Sequence, residues 1–219
     1  MHPLVTVVMA TYQGEKYLKI QIESLLAQDY PNLEFIWVDD ASTDQSLSIL
    51  KEYASQDVRI QILENLKNEG HNAAFERGMK VANGEYIALS DQDDYWVPSK
   101  ISTLVNGIGN YSLIYSDSQL IDQAGRELPL KMSGLKRQIA YNSPLMYTFG
   151  AWAPGHSMLF KKQVLETALP LSNWVTHDYL LGFSATCHYG IAYIPIPLVH
   201  YRQHESNAIG ADFKNAKKL

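Results

Sequence analysis

Gly84-Glu-Tyr-Ile-Ala-Leu-Ser-Asp-Gln-Asp-Asp-Tyr-Trp96 joins a short apolar run to a burst of acid. Tyr86 to Leu89 reads as a buried strand that empties into Asp91, Asp93 and Asp94, ahead of a helix predicted to start at Pro98. Three carboxylates at one strand exit repel one another. A cation there would relieve the repulsion, and oxygen ligands suit a hard divalent ion, Mg²⁺ or Mn²⁺, which keeps waters and bridges to phosphates. A plainer reading fits the same letters: a solvated Asp-rich loop whose last carboxylate caps the Pro98 helix.

Upstream, the continuous β-branched run Leu4 to Ala10 predicts a strand buried on both faces of a parallel sheet. It ends at Thr11-Tyr-Gln-Gly14, after which Leu18, Ile22 and Leu25 recur at helical spacing. A second strand, Leu33 to Val38, runs into Asp39-Asp40-Ala41-Ser42-Thr43-Asp44, where Ser42 and Gln45 have capping-box spacing for a helix carrying Leu47, Leu50 and Ala54. Arg59 to Leu63 and a helix with Phe75, Met79 and Ala82 on one face make a third unit. Alternating strands and helices imply parallel crossovers, and such sheets bind ligands at the carboxyl ends of their strands. Thr11, Tyr12, Asp39, Asp40, Asp91 and Asp93 all follow strands, so they should converge on one edge.

Downstream the pattern changes. Ser112 to Ser116 is a strand, Leu120 to Glu127 a hairpin turning at Gly125, and His156 to Phe160 a strand after the Gly150–Pro154 loop. Thr176 can cap a helix beginning His177-Asp178, and Asp178 suits a first helical turn whatever its job. Arg202 and His204 share one side of an extended segment and suit phosphate or metal contact.

At 219 residues the chain fits one large α/β domain, and no Pro/Gly/Ser linker divides it. A net charge of −5 leaves no basic face for nucleic acid, apart from Lys214, Lys217 and Lys218 near the end. The single Cys187 excludes an intrachain disulfide framework and reads as a buried structural thiol in a reducing compartment. No apolar run reaches the roughly 18 residues of a membrane span, so a cytoplasmic, soluble chain is expected. Trp37 reads as core. Trp96, Trp152 and Trp174 flank the cleft as sugar platforms or as packing, and His71 and His156 are equally open.

Val7-Val-Met-Ala-Thr-Tyr-Gln-Gly14, Val38-Asp-Asp-Ala-Ser-Thr-Asp44, the Gly84–Asp94 stretch, His177-Asp-Tyr179 and Tyr201-Arg-Gln-His-Glu-Ser-Asn207 together resemble the family 2 glycosyltransferases, from about Val5 to Gly210. The Asp-Gln-Asp-Asp-Tyr-Trp form is most similar to bacterial rhamnosyltransferase-type members that build surface polysaccharide. The resemblance implies an α/β GT-A fold, a mostly parallel mixed sheet flanked by helices. It implies one catalytic domain over 1–219, with a nucleotide half to about 110 and an acceptor half over about 111–210.

It further implies an inverting, metal-dependent transfer from a nucleotide sugar, dTDP-rhamnose or a UDP-sugar, to a glycan or lipid-linked acceptor. Asp91 and Asp93 match the DXD motif: Asp93 as direct ligand of Mg²⁺ or Mn²⁺, Asp91 on the donor ribose or in the metal's water shell. Thr11, Tyr12 and Glu15 match the nucleotide-holding stretch, Asp40 the carboxylate that accepts from the pyrimidine, and Asp178 the general base. His204 aligns with a position that joins the metal or diphosphate, and Arg202 is placed to neutralise phosphate.

Three positions depart from the pattern: Ala41 stands where Gly is usual, His177 where Glu is common, and Ala74 where Asn is frequent. The chain also stops short of a C-terminal segment that many relatives use for membrane or acceptor contact, which implies truncation and peripheral association with the inner face of the plasma membrane. Two other classes compete. A non-catalytic nucleotide-sugar binder would not need Asp178. A phosphotransfer enzyme usually carries its acidic motif after the first strand, and here it follows the fourth; a nucleotidyltransferase would want a Gly-rich loop that Thr11-Tyr-Gln-Gly14 does not supply.

Overall fold

A computed structural model describes residues 2–150, 152–172 and 174–204. The chain opens as three β–α units: β1 (Val5–Thr11), α1 (Glu15–Leu26), β2 (Leu33–Asp39), α2 (Ser46–Ala54), β3 (Ile60–Glu64) and α3 (His71–Val81). With β4 (Tyr86–Ser90) the strands form a parallel set in the order 3-2-1-4. β1, β2 and β4 are buried almost throughout because helices cover both faces, whereas β3, at the edge, is only half buried.

The second half adds β5 (Tyr95–Trp96), α4 (Lys100–Ile108), β6 (Leu113–Ile121), β7 (Glu127–Lys131), α5 (Pro144–Thr148), β8 (Met158–Lys161), α6 (Leu165–Ala168), α7 (His177–Cys187) and β9 (Ile191–Arg202). β8 lies antiparallel between β4 and β6, β9 runs parallel to β6, and β5 closes the far edge, giving 3-2-1-4-8-6-9-5 with β7 paired to β6. One apolar cluster fills the face under α1, α2 and α4, and another the face under α3 and α7. This is the expected mixed α/β sheet flanked by helices.

Local expectations fail where a partner elsewhere claims the residue. Ser42 does not cap α2: its Oγ accepts from Gln13 N at 3.2 Å, and Asp44 Oδ1 accepts from Ser46 N at 2.9 Å. The helix expected at Pro98 begins at Lys100, because Tyr95 and Trp96 pair with β9 and Val97 N donates to Leu198 O. No Asp caps it. Thr176 sits at the N-cap of α7, but its hydroxyl bonds the Asp178 carboxylate and not the helix amides. Cys187, at the outer side of the last turn of α7, is exposed and not buried. The tail lysines and Glu205 to Asn207 of the closing motif lie outside the described residues.

Ala41 holds φ at 61°, the left-handed region. The turn after β2 therefore needs the conformation that Gly adopts without strain. Ala41→Gly is expected to stabilise the protein by about 0.5–1 kcal/mol, the relief exceeding the extra freedom Gly gains when unfolded. A thermal melt with an unchanged or lowered midpoint would contradict this.

Candidate active site

The carboxyl ends of β1, β2 and β4 open into a cavity of about 610 Å³. Thr11 and Tyr12, Asp40, and Asp91 to Asp93 line it from the three strands, and Asp178 closes it from the first turn of α7. Six of the nine expected site residues thus line one cavity. Thr11 Oγ1 is buried there with no hydrogen-bond partner. Gln92, between the two motif carboxylates, pairs with the Tyr12 backbone in both directions, accepting from N at 2.9 Å and donating to O at 3.0 Å. It ties the acidic loop to the loop after β1.

The other three lie outside its lining. Glu15 reaches across to α2, where Oε2 accepts from Gln45 N at 2.9 Å, so its carboxylate serves a helix N-terminus and not the cavity. Arg202 is 3 % exposed; its guanidinium sits behind the acidic loop, donating from Nε to Asp93 O at 2.8 Å and lying 4.6 Å over the Tyr17 ring. It faces a second, smaller cavity beside α1. His204 stands behind the loop as well, with Nε2 at 2.7 Å from Asp93 Oδ2 and its ring stacked on Tyr17.

Asp40 is shaped by donors from the next loop. Its oxygens accept from Asn65 Nδ2 at 2.6 Å, from Gly70 N at 2.8 Å and from a shared Glu69 N–H. Three donors on about four lone-pair sites leave acceptor capacity toward the cavity. Gly70 holds φ at 88°, which presents its N–H to the carboxylate.

The electrostatics turn on a residue that sequence reading passed over. Lys100 opens α4 but is fully buried, with Nζ 3.1 Å over the Trp96 ring and donating to His156 O at 2.6 Å. Burial pushes its pKa well down, while Asp94 and Asp91 favour its charge. Burial, then Asp93 and Asp178, lift the Asp91 carboxyl to about 7, and burial lifts Asp94 as well. His156 is pressed down to about 3 by burial and Lys100, so its imidazole is neutral and bonds Ser118 Oγ at 2.9 Å. Asp91, Asp94 and His156 bring ligand atoms within 4.8 Å of one another, and the Lys100 amine lies beside this inner group, where Asp94 and Asp91 favour its charge against burial. A lysine at a helix start looks like surface in a sequence, and nothing in the letters marks its burial.

Asp178 is 5 % exposed and held by three donors: the Thr176 hydroxyl and Tyr179 N (2.8 Å) on Oδ1, and Trp152 Nε1 (3.1 Å) on Oδ2. Trp152 is therefore a partner of this carboxylate. Trp96 is core, and Trp174 is almost fully exposed. His177 rests on Phe75 with its Nδ1 buried and unpartnered, and burial lowers its pKa to about 4.

The sequence profile of glycosyl transferase family 2 matches residues 6–167. The chain belongs to this family. Among family 2 relatives, it is 30 % identical over 219 residues to RfbG of Shigella flexneri, named a dTDP-rhamnosyl transferase, covering 93 % of this chain and 74 % of that one. It spans only 63 % and 66 % of the length of two glycosyltransferase relatives from Bacillus subtilis and Nostoc. The fold matches TarS of S. aureus solved with UDP-GlcNAc, at TM-score 0.74 and 21 % identity, over 95 % of this chain and 61 % of that one. It also matches a Pyrobaculum calidifontis mannosyltransferase solved with GDP-Man and Mn²⁺, at TM-score 0.70 and 19 % identity, over 94 % of this chain and 59 % of that one.

Proposed function

We propose that this chain is the catalytic domain of an inverting glycosyltransferase that moves a sugar from a nucleoside diphosphate sugar to a hydroxyl of a glycan or lipid-linked saccharide, in the assembly of a bacterial surface polysaccharide. The observation that carries the reading is Asp178: one buried carboxylate, fixed by three donors, across the cavity from the acidic strand exit. The nucleotide belongs to the half built by residues 1–110, with Thr11 and Tyr12 along it and Asp40 accepting from a pyrimidine N–H. The acceptor belongs to the half from about 111, where Asp178 lies.

A divalent ion fits the acidic exit. Asp91 and Asp93 face the cavity, where Asp93 adds to burial in raising Asp91's cost of ionising, and His204 already touches Asp93, so oxygen ligands and one imidazole stand together. That donor set suits Mn²⁺ at least as well as Mg²⁺. Bound there, the ion would act as a Lewis acid toward the departing diphosphate. Arg202, committed to the Asp93 carbonyl, would act through the loop rather than on phosphate directly.

The acceptor hydroxyl gives its proton to Asp178 as its oxygen bonds the anomeric carbon, and the carbon–oxygen bond to the diphosphate breaks with both electrons leaving on the diphosphate. Oδ2 carries one donor and Oδ1 two, so Oδ2 has the lone pair for that proton. Attack from the Asp178 side inverts the sugar, and no second nucleophile is needed. Trp152→Phe keeps the ring but removes the N–H, and is expected to lower kcat about tenfold with little change in donor KM, the usual worth of one hydrogen bond to a charged group. Equal kcat in wild type and variant would remove Trp152 from this role.

A lipid-linked acceptor would place the enzyme at the inner face of the plasma membrane. Among the described residues no helix is long and apolar enough to cross it. The test of the whole reading is calorimetric titration of UDP and dTDP with Mn²⁺ and with excess chelator, followed by a transfer assay. Metal-dependent binding of one nucleotide with turnover supports the proposal and narrows the donor. Binding without turnover would make the chain a non-catalytic nucleotide-sugar binder.

A further inference from the structure

α5 packs on α7 through Tyr147, whose hydroxyl occupies the space that a side chain at Gly182 would need and whose ring meets Tyr179 at 5.4 Å. Leu145 and Phe149, at i and i+4, lie on the opposite side of α5 and are 68 % and 83 % exposed. Phe183 emerges beside Gly182. Where the chain leaves α5, Trp152 bonds Asp178 at the start of α7, so the exit of one helix and the entry of the other meet at one corner. Trp174 stands 95 % exposed on the turn into α7, and Asn72 Nδ2 holds that turn by donating to Ser172 O and Val175 O.

Single exposed apolar residues are ordinary; several large ones around one corner are not. Their charge setting is unusual too. Residues 128–165 contain five Lys or Arg and no Asp or Glu, in a chain of net charge −5. Lys161 and Lys162 turn to Gly109 O and Ala82 O, but Lys136 lies 4.8 Å over the Trp152 ring at this same corner, with Arg137 exposed beside it. Trp and Phe side chains flanked by basic ones match the interface of an anionic bilayer, where aromatic rings settle at the headgroups and Lys or Arg meet the surface charge.

We propose that the outer side of α5 and the turn into α7 form a docking face for an anionic lipid bilayer, with Phe149 and Trp174 inserting and Lys136 and Arg137 on the headgroups. Such docking turns the Asp178 side of the cavity toward the membrane surface. It makes no use of the donor chemistry, so it stands or falls separately from the transfer reaction.

The experiment is co-sedimentation of this chain with phosphatidylcholine vesicles, with and without phosphatidylglycerol. Binding should require phosphatidylglycerol, weaken with salt and shift the fluorescence of Trp174 to the blue. Lys136→Glu/Arg137→Glu should reduce binding at least about tenfold, given the worth of each basic residue at such a surface. Phe149→Ser/Trp174→Ser, at exposed positions that the fold does not use, should reduce it as strongly with an unchanged melting temperature. No sedimentation with anionic vesicles, or equal binding by wild type and both variants, would overturn the proposal. So would a dimer in size-exclusion chromatography that the Phe149→Ser/Trp174→Ser change converts to monomer, since the face would then belong to a second copy.

Discussion

Asp178→Asn is expected to leave nucleotide affinity within about twofold of wild type while sugar transfer falls by about 10²–10⁴-fold, the usual contribution of a positioned general base. The amide is nearly isosteric, and its oxygen can still accept from Thr176, Tyr179 or Trp152. It cannot take a proton. The loss should therefore appear in kcat, with the donor KM held, because the proposed nucleotide contacts, Thr11 and Asp40, come from other elements of the cavity lining. A melting curve like that of wild type would show that the fold survives. Transfer retained at wild-type rate would remove Asp178 as base and leave the inverting mechanism without a proton acceptor.

Asp93→Ala should abolish metal-dependent nucleotide binding in calorimetry, a loss of at least about 100-fold, since even outer-shell partners of metal ligands are worth 10–100-fold. Asp94→Asn separates the two candidate cation groups. If the inner trio of Asp91, Asp94 and His156 held the ion, this change would be as damaging; if Asp93 and Asp91 hold it on the cavity side, metal affinity should survive. The pH dependence has a definite sign. Asp91, lifted to about 7 by burial and by Asp93 and Asp178, holds its proton below that pH in the absence of an ion, and an arriving ion must displace it. Affinity for Mn²⁺ with nucleotide should fall by up to about tenfold per unit below pH 7 and level off above it. A flat profile between pH 5 and 8 would exclude Asp91 from the set that the ion deprotonates.

What could be read from the letters follows from where each side chain's partners lie along the chain. β1, β2 and β4 were legible because strands covered on both faces must be apolar throughout, and their exits carried the Thr, Tyr and Asp residues that now line one cavity. Glu15 and Arg202 carry suitable charges but lie outside the main cavity's lining: a charge near a strand end does not tell which side of the loop it faces. Lys100 and Trp152 acquire their partners only through packing, from His156 and Asp178 respectively. Ala41 shows the converse. It stands where the family usually has Gly, and the backbone shows what that Gly would relieve, a φ of 61° in the left-handed region.

Asp40 ties down the loop from Asn65 to Gly70 through that loop's own amides before any ligand arrives. The end of the cavity proposed for the nucleotide is thus preorganised: the disorder of this loop is lost during folding, and association there would mainly cost the freedom of the incoming molecule. On the proposed assignment, recognition and loop architecture depend on one carboxylate. A change that frees Asp40 from the loop would loosen the receptor's shape as well as its contact, and the effect on affinity would carry an entropic signature.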